Sequence, residues 1–128
     1  MICCITNGGR KSERDAIENA FWFAVEELMP KKKNLDVEFY LQNLEGDVDG
    51  FHEFIDRGMH VIELQKNLDI DDLVTAVFHE MVHVRQYERG QGGFDESTPY
   101  LERPCEIEAY HLQEELFDKW KHQHSESH

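Results

Sequence analysis

Between residues 16 and 28 the apolar positions recur every three or four residues. Ala16, Ile17, Ala20, Phe21, Ala24, Val25 and Leu28 line one side of a helix. Ser12 offers an N-cap at its start, and Pro30 with the three lysines after it closes it near Met29. From Leu35 the period falls to two. Val37, Phe39 and Leu41 alternate with Glu38, Tyr40 and Gln42, the pattern of a strand with one buried face. Two further short strands, Phe51 to Ile55 and Met59 to Gln65, flank Asp56-Arg57-Gly58, which predicts a tight hairpin with glycine in the left-handed position. Residues 1–10 read as an N-terminal arm or strand that ends in a Gly-Gly turn.

Asp69 or Asp71 can cap a second helix that runs to about Arg89. Leu73, Val74, Val77, Phe78, Met81, Val82 and Val84 make it apolar around most of its circumference, as expected of a helix at the centre of a core. Gly90, Gly92 and Gly93 end it. A polar loop leads to a last helix from about Pro104 to Lys121, with proline in the first turn, where its missing N–H costs nothing. Residues 122–128 are expected to form a disordered tail. With no repeat and no linker, residues 1–128 are expected to form a single domain. The predicted class is α+β: an N-terminal helix, a small sheet of three or four mainly antiparallel strands, a central helix and a C-terminal helix.

Composition narrows the function. The chain carries 27 acidic against 13 basic residues, a formal net charge of −14, so its surface repels phosphate backbones and nucleic-acid binding is not expected. No apolar run approaches the roughly 20 residues needed to cross a bilayer, and no signal peptide is visible, so neither a membrane nor a secretory route is expected. Three cysteines without regular spacing are no disulfide framework and suit a reducing, cytoplasmic setting.

The string His79-Glu80-Met81-Val82-His83 carries the chemistry. Histidines four apart on a helix project from one face and can meet at one metal ion. Glu80 then lies beside that ion, placed to accept a proton from a water and return it to a leaving amine. Zinc is the natural occupant, because it favours tetrahedral nitrogen and oxygen ligands and brings the pKa of a bound water down to about 7. Two histidines and a glutamate inside so apolar a helix are costly to bury unless they are paired or hold a metal. A catalytic zinc commonly takes a third protein ligand, for which Asp95, Glu96, Glu102, Glu106, Glu108 and His111 are the downstream candidates.

An HExxH helix followed by a second helix that opens with Glu-x-x-Ala resembles the gluzincin branch of zinc metallopeptidases. Here the second string is Glu106-Ile107-Glu108-Ala109, and the likeness spans about residues 70–112. The resemblance implies a small zincin-like domain with Zn2+ on His79, His83 and Glu106, Glu80 as general base, and a peptide or protein substrate. Glu108 is the rival third ligand, but two residues along a helix turn the side chain through about 200°, so Glu106 and Glu108 do not both face the metal. Two departures stand out. Many gluzincins carry an aspartate where this chain has Tyr110, and the residue that stabilises the transition state has no obvious match. Tyr100, Arg103, Tyr110 and His111 are candidates for that role by proximity. The expected function is zinc-dependent peptide-bond hydrolysis. The alternative is a weakly active or inactive zincin-fold module that binds another protein around a structural metal. His52 and His60, on predicted strands, are expected to satisfy local hydrogen bonds. Asp47 and Asp49 read as an acidic turn, and Cys105 as a small buried thiol.

Overall fold

A computed structural model describes residues 1–126. Strand β1 (Ile2–Asn7) leads into helix α1 (Lys11–Leu28), strand β2 (Leu35–Gln42), the hairpin of β3 (Gly50–Asp56) and β4 (Met59–Gln65), helix α2 (Ile70–Glu88), a single 3-10 turn (Tyr100–Glu102) and helix α3 (Pro104–Glu126). The class is α+β, as expected. No described helix is long and apolar enough to cross a membrane.

The sheet differs from the expectation of a mainly antiparallel one. Its order is β1-β2-β4-β3, with β1–β2 and β2–β4 parallel and only the β3–β4 hairpin antiparallel. The reason lies in which strands have an apolar inner face. In β2 Leu35, Val37, Phe39 and Leu41 are buried, and in β4 Ile62 and Leu64 are. β3 has Gly50 and His52 at its inward positions and exposes Phe51, Phe54 and Ile55, so it gains nothing from the centre and lies at the edge. β4 therefore takes the place beside β2. Alternation reports burial of a face, not strand direction, which is why the parallel ladders were not legible.

α1 and α2 cover the inner face of the sheet. Phe21 meets Phe39 edge to face at a centroid distance of 5.9 Å, and Ile17, Val77, Phe78 and Met81 fill the space around them. The start of α1 also departs from expectation. Arg10, not Ser12, is the N-cap, because the Glu13 carboxylate reaches back to accept the Arg10 backbone N–H at 2.9 Å. α2 is capped by Asp69, whose carboxylate accepts from the Asp72 N–H at 2.8 Å.

α3 packs along α2 with Glu106, Ala109, Leu116 and Trp120 buried, a helical stripe that turns its first carboxylate into the interior. It does not stop at Lys121. Residues 122–126 continue the helix, and the His124 ring lies on Trp120 at 4.3 Å with its Nδ1 on the Trp120 carbonyl. The expected tail is thus helical as far as it is described, and residues 127–128 lie outside the described part.

One buried carboxylate ties three connections together. Glu88, in the last turn of α2, accepts from the Gly58 N–H of the β3–β4 turn at 2.8 Å and from Lys32 in the α1–β2 connector, and contacts His60 Nε2 at 2.7 Å. Burial acts to raise its pKa, but these donors outweigh burial and hold it below the usual carboxylate range. Because the folded value lies below the unfolded one, the stabilisation is complete above the unfolded pKa of about 4.3 and is lost as pH falls through the folded value. Glu88→Ala should lower unfolding free energy by about 3 kcal/mol at pH 7. In denaturant titrations the deficit should shrink on acidification; a constant deficit down to pH 3 would contradict this account.

Candidate metal centre

α2 brings His79 and His83 to one side, facing α3, and the first turn of α3 brings Glu106 to meet them. Glu106 Oε1 lies 2.9 Å from His79 Nε2 and 3.1 Å from His83 Nε2, and all three residues are buried. Their ligand atoms lie within 4.8 Å of one another, the only such group of three among the described residues.

The second nitrogen of each imidazole is occupied. His83 Nδ1 contacts Gln86 Oε1 at 2.8 Å, and His79 Nδ1 contacts Gln113 Oε1 at 2.7 Å. The orientation of Gln86 is settled by its surroundings. Its Nε2 donates to the Cys105 carbonyl at 2.9 Å and to Glu108 at 3.0 Å, both pure acceptors, so its oxygen faces His83. Gln113 likewise donates its Nε2 to Glu114 at 3.1 Å. Each Nδ1 then carries a proton, so on a neutral ring Nε2 is the bare nitrogen, and it is the one turned to Glu106. Two bare nitrogens and a carboxylate around one point repel unless a proton or a metal cation lies among them. A divalent metal ion fits that donor set, with His79, His83 and Glu106 as the residues that would hold it.

When protons rather than a metal cation lie between them, the imidazoles donate to Glu106, and the cluster is strongly coupled. Burial acts to raise the Glu106 carboxyl, yet the two histidines bring it down to about 2. Burial alone would lower His83, but Glu106 and the charge on Glu80 raise it. Glu80 is raised, first by burial, with the histidine charges opposing. Its side chain lies against the backbone of β3 at Gly50, where an added Cβ would come within 3.1 Å of Glu80 Cγ and Oε2. A side chain at this position would have to displace Glu80 by a few tenths of an ångström.

The centre opens into a cleft of about 190 Å³ whose walls include Val48, Phe51 and His52 on one side and Phe94, Tyr100 and Arg103 on the other. Among the sequence-derived candidates, Tyr100 lines this cleft, its phenol raised by burial and by contact with Tyr110 and Glu106. Tyr110 lies against the His79 ring at 4.6 Å. Arg103 stacks on Phe94 at 3.9 Å while its Nε donates to the Thr98 carbonyl. His111 is not brought in: it is exposed on α3 and pairs with Glu115 at 3.3 Å. Glu108 faces Gln86 and Arg85 rather than the two imidazoles. Cys105 borders the cleft and offers its carbonyl to Gln86.

His52 and His60 bond to each other at 2.8 Å, the local satisfaction expected of them, but His52 also lines the cleft, which was not expected. Gln86 and Gln113 were missed altogether. A signal was there: Gln86 is a lone amide three residues after His83 in an apolar helix, and Gln113 follows Glu106 by seven on the same face of α3.

Comparison with known protein families, with curated proteins and with solved structures finds no match to this chain.

Gln86→Leu and Gln113→Leu should each weaken the binding of an added divalent metal ion by about 10- to 100-fold in chelator competition, because the imidazole tautomer is no longer held. His111→Ala should leave affinity unchanged. An unaltered affinity in both glutamine variants would show that they do not orient the ligands.

Proposed function

We propose that the chain is a zinc-dependent peptidase. The observation that carries this reading is the convergence of two imidazole nitrogens and a carboxylate beside a buried glutamate in an open cleft. A zinc ion held there would supply Lewis acidity, polarising a scissile carbonyl and acidifying a water.

The remaining work falls to the protein. Glu80, with its carboxyl raised by burial, is suited to take the proton of the attacking water and deliver it to the amide nitrogen as the C–N bond breaks. The Tyr100 hydroxyl, kept protonated by its surroundings, is the favoured donor to the developing oxyanion. β3 is an edge strand that packs against α2, and such an edge can hold an extended peptide through its unpaired backbone groups. The small cleft suits a flexible segment better than a folded domain. Exposed Phe51 and Phe94 in its walls equally favour the second reading, a module that holds a partner peptide around a structural metal.

Metal analysis and turnover of an unstructured peptide library separate the two. Wild type should carry one zinc per chain and His83→Ala none. Glu80→Gln should keep its zinc and lose about 10²- to 10⁴-fold in turnover. Zinc without turnover in wild type would favour the binding module. Equal zinc content in His83→Ala and wild type would sink both.

A further inference from the structure

A hydrogen-bonded chain runs from the cleft to the last turn of α2 and has no part in the proposed hydrolysis. His52 Nε2 lies 2.8 Å from His60 Nδ1, and His60 Nε2 lies 2.7 Å from Glu88 Oε2. The His60 and Glu88 side chains are 0% and 3% exposed, so the chain is sealed from water beyond its first member.

The polarity of the chain follows from its end. Glu88 already accepts from Lys32 and from the Gly58 N–H, so it is a carboxylate and can only accept. His60 must therefore carry its proton on Nε2, and its Nδ1 is an acceptor. It follows that His52 donates from Nε2 to His60, and that neutral His52 is left with an unprotonated Nδ1. Among the described residues that Nδ1 has no protein partner, nor is it one of the fully buried unsatisfied atoms. It is an acceptor kept available on a residue that lines the cleft, near His83 at a ring-centroid distance of 6.3 Å. His52 is not one of the three residues whose ligand atoms cluster.

We propose that His52 is a substrate-binding residue whose Nδ1 accepts a hydrogen bond from a peptide N–H in the cleft, with His60 and Glu88 as positioning residues that hold it in that tautomer. The nature of the ligand rests on the peptidase reading; the tautomer does not.

Two measurements on the zinc-loaded full chain test this. Long-range proton–nitrogen NMR of the imidazoles at pH 7 should show His52 protonated on Nε2 and bare on Nδ1. A protonated Nδ1, or averaging between tautomers, would overturn the relay. With the same unstructured peptide library, His52→Phe should raise KM about ten-fold, the effect of one neutral hydrogen bond, while kcat and zinc content stay near wild type. His52→Asn, which can place an oxygen close to the position of Nδ1, should recover most of the loss. If wild type turns over no peptide, the same ten-fold change is sought in peptide Kd; finding it would sink the peptidase reading and keep His52. Unchanged KM and Kd in both variants would overturn the assignment of His52 whatever the turnover.

Discussion

Two imidazole nitrogens and a carboxylate oxygen crowded into one buried spot repel each other when their lone pairs all point inward, and much of this structure exists to hold them there. The apolar bulk of α2 makes the demand acute, because charged or lone-pair-rich groups in such surroundings have no water to relieve them. The geometry meets the demand in layers. Gln86 and Gln113 take the outer nitrogens, the Cys105 carbonyl and Glu108 hold Gln86, and Arg85 approaches Glu108 at 3.7 Å. A carboxylate on the wrong face of α3 for the centre thus has a place in its outer layer. The close packing of α3 along α2 and the burial of Glu106 are two aspects of one arrangement.

α2 serves both sides of the molecule. One face carries His79, Glu80, His83 and Gln86, and its last turn carries Glu88, which anchors the hairpin turn and the His60–His52 pair. The cleft therefore has two walls with different construction. On the α3 side His79, His83 and Glu106 are set by helix spacing and amide partners. On the sheet side the edge strand β3 offers Gly50, which admits the Glu80 side chain, and two residues further His52, backed by a buried carboxylate. A strand too poor in inward apolar residues to occupy the sheet centre is, for that reason, the one that can border a polar cleft.

The chain's acidity bears on partners more than on fold. A net charge of −14 leaves the centre within a negative field, which attracts cations and repels anions. Within that field the lysine run 31–33 and Arg85 are local exceptions. Lys32 is committed to Glu88, and Arg85 lies near Glu108, so part of the scarce positive charge neutralises carboxylates that the fold has buried or half-buried.

Local periodicity was enough to place the elements. The three- and four-residue spacing of α1 and α2, the alternation in β2, and the glycine of the β3–β4 turn each report a short-range geometry that neighbouring residues impose on one another. The His79–Glu80–His83 spacing belongs to the same class, since one helical turn suffices to align it. Other features needed the assembled fold. Strand direction and order depend on which inner faces are apolar enough for the centre, a comparison among strands that no single strand contains. The choice of Glu106 over Glu108 becomes visible in the packed structure only when α3 docks on α2 and turns one of two similar carboxylates inward. The roles of Gln86, Gln113, His52 and Glu88 depend on contacts between residues 3 to 56 positions apart, and a hydrogen bond across that range leaves no periodic trace in the chain. Sequence determines what one turn or one strand can see of itself; the meeting of separate elements is decided by the shared burial of their faces.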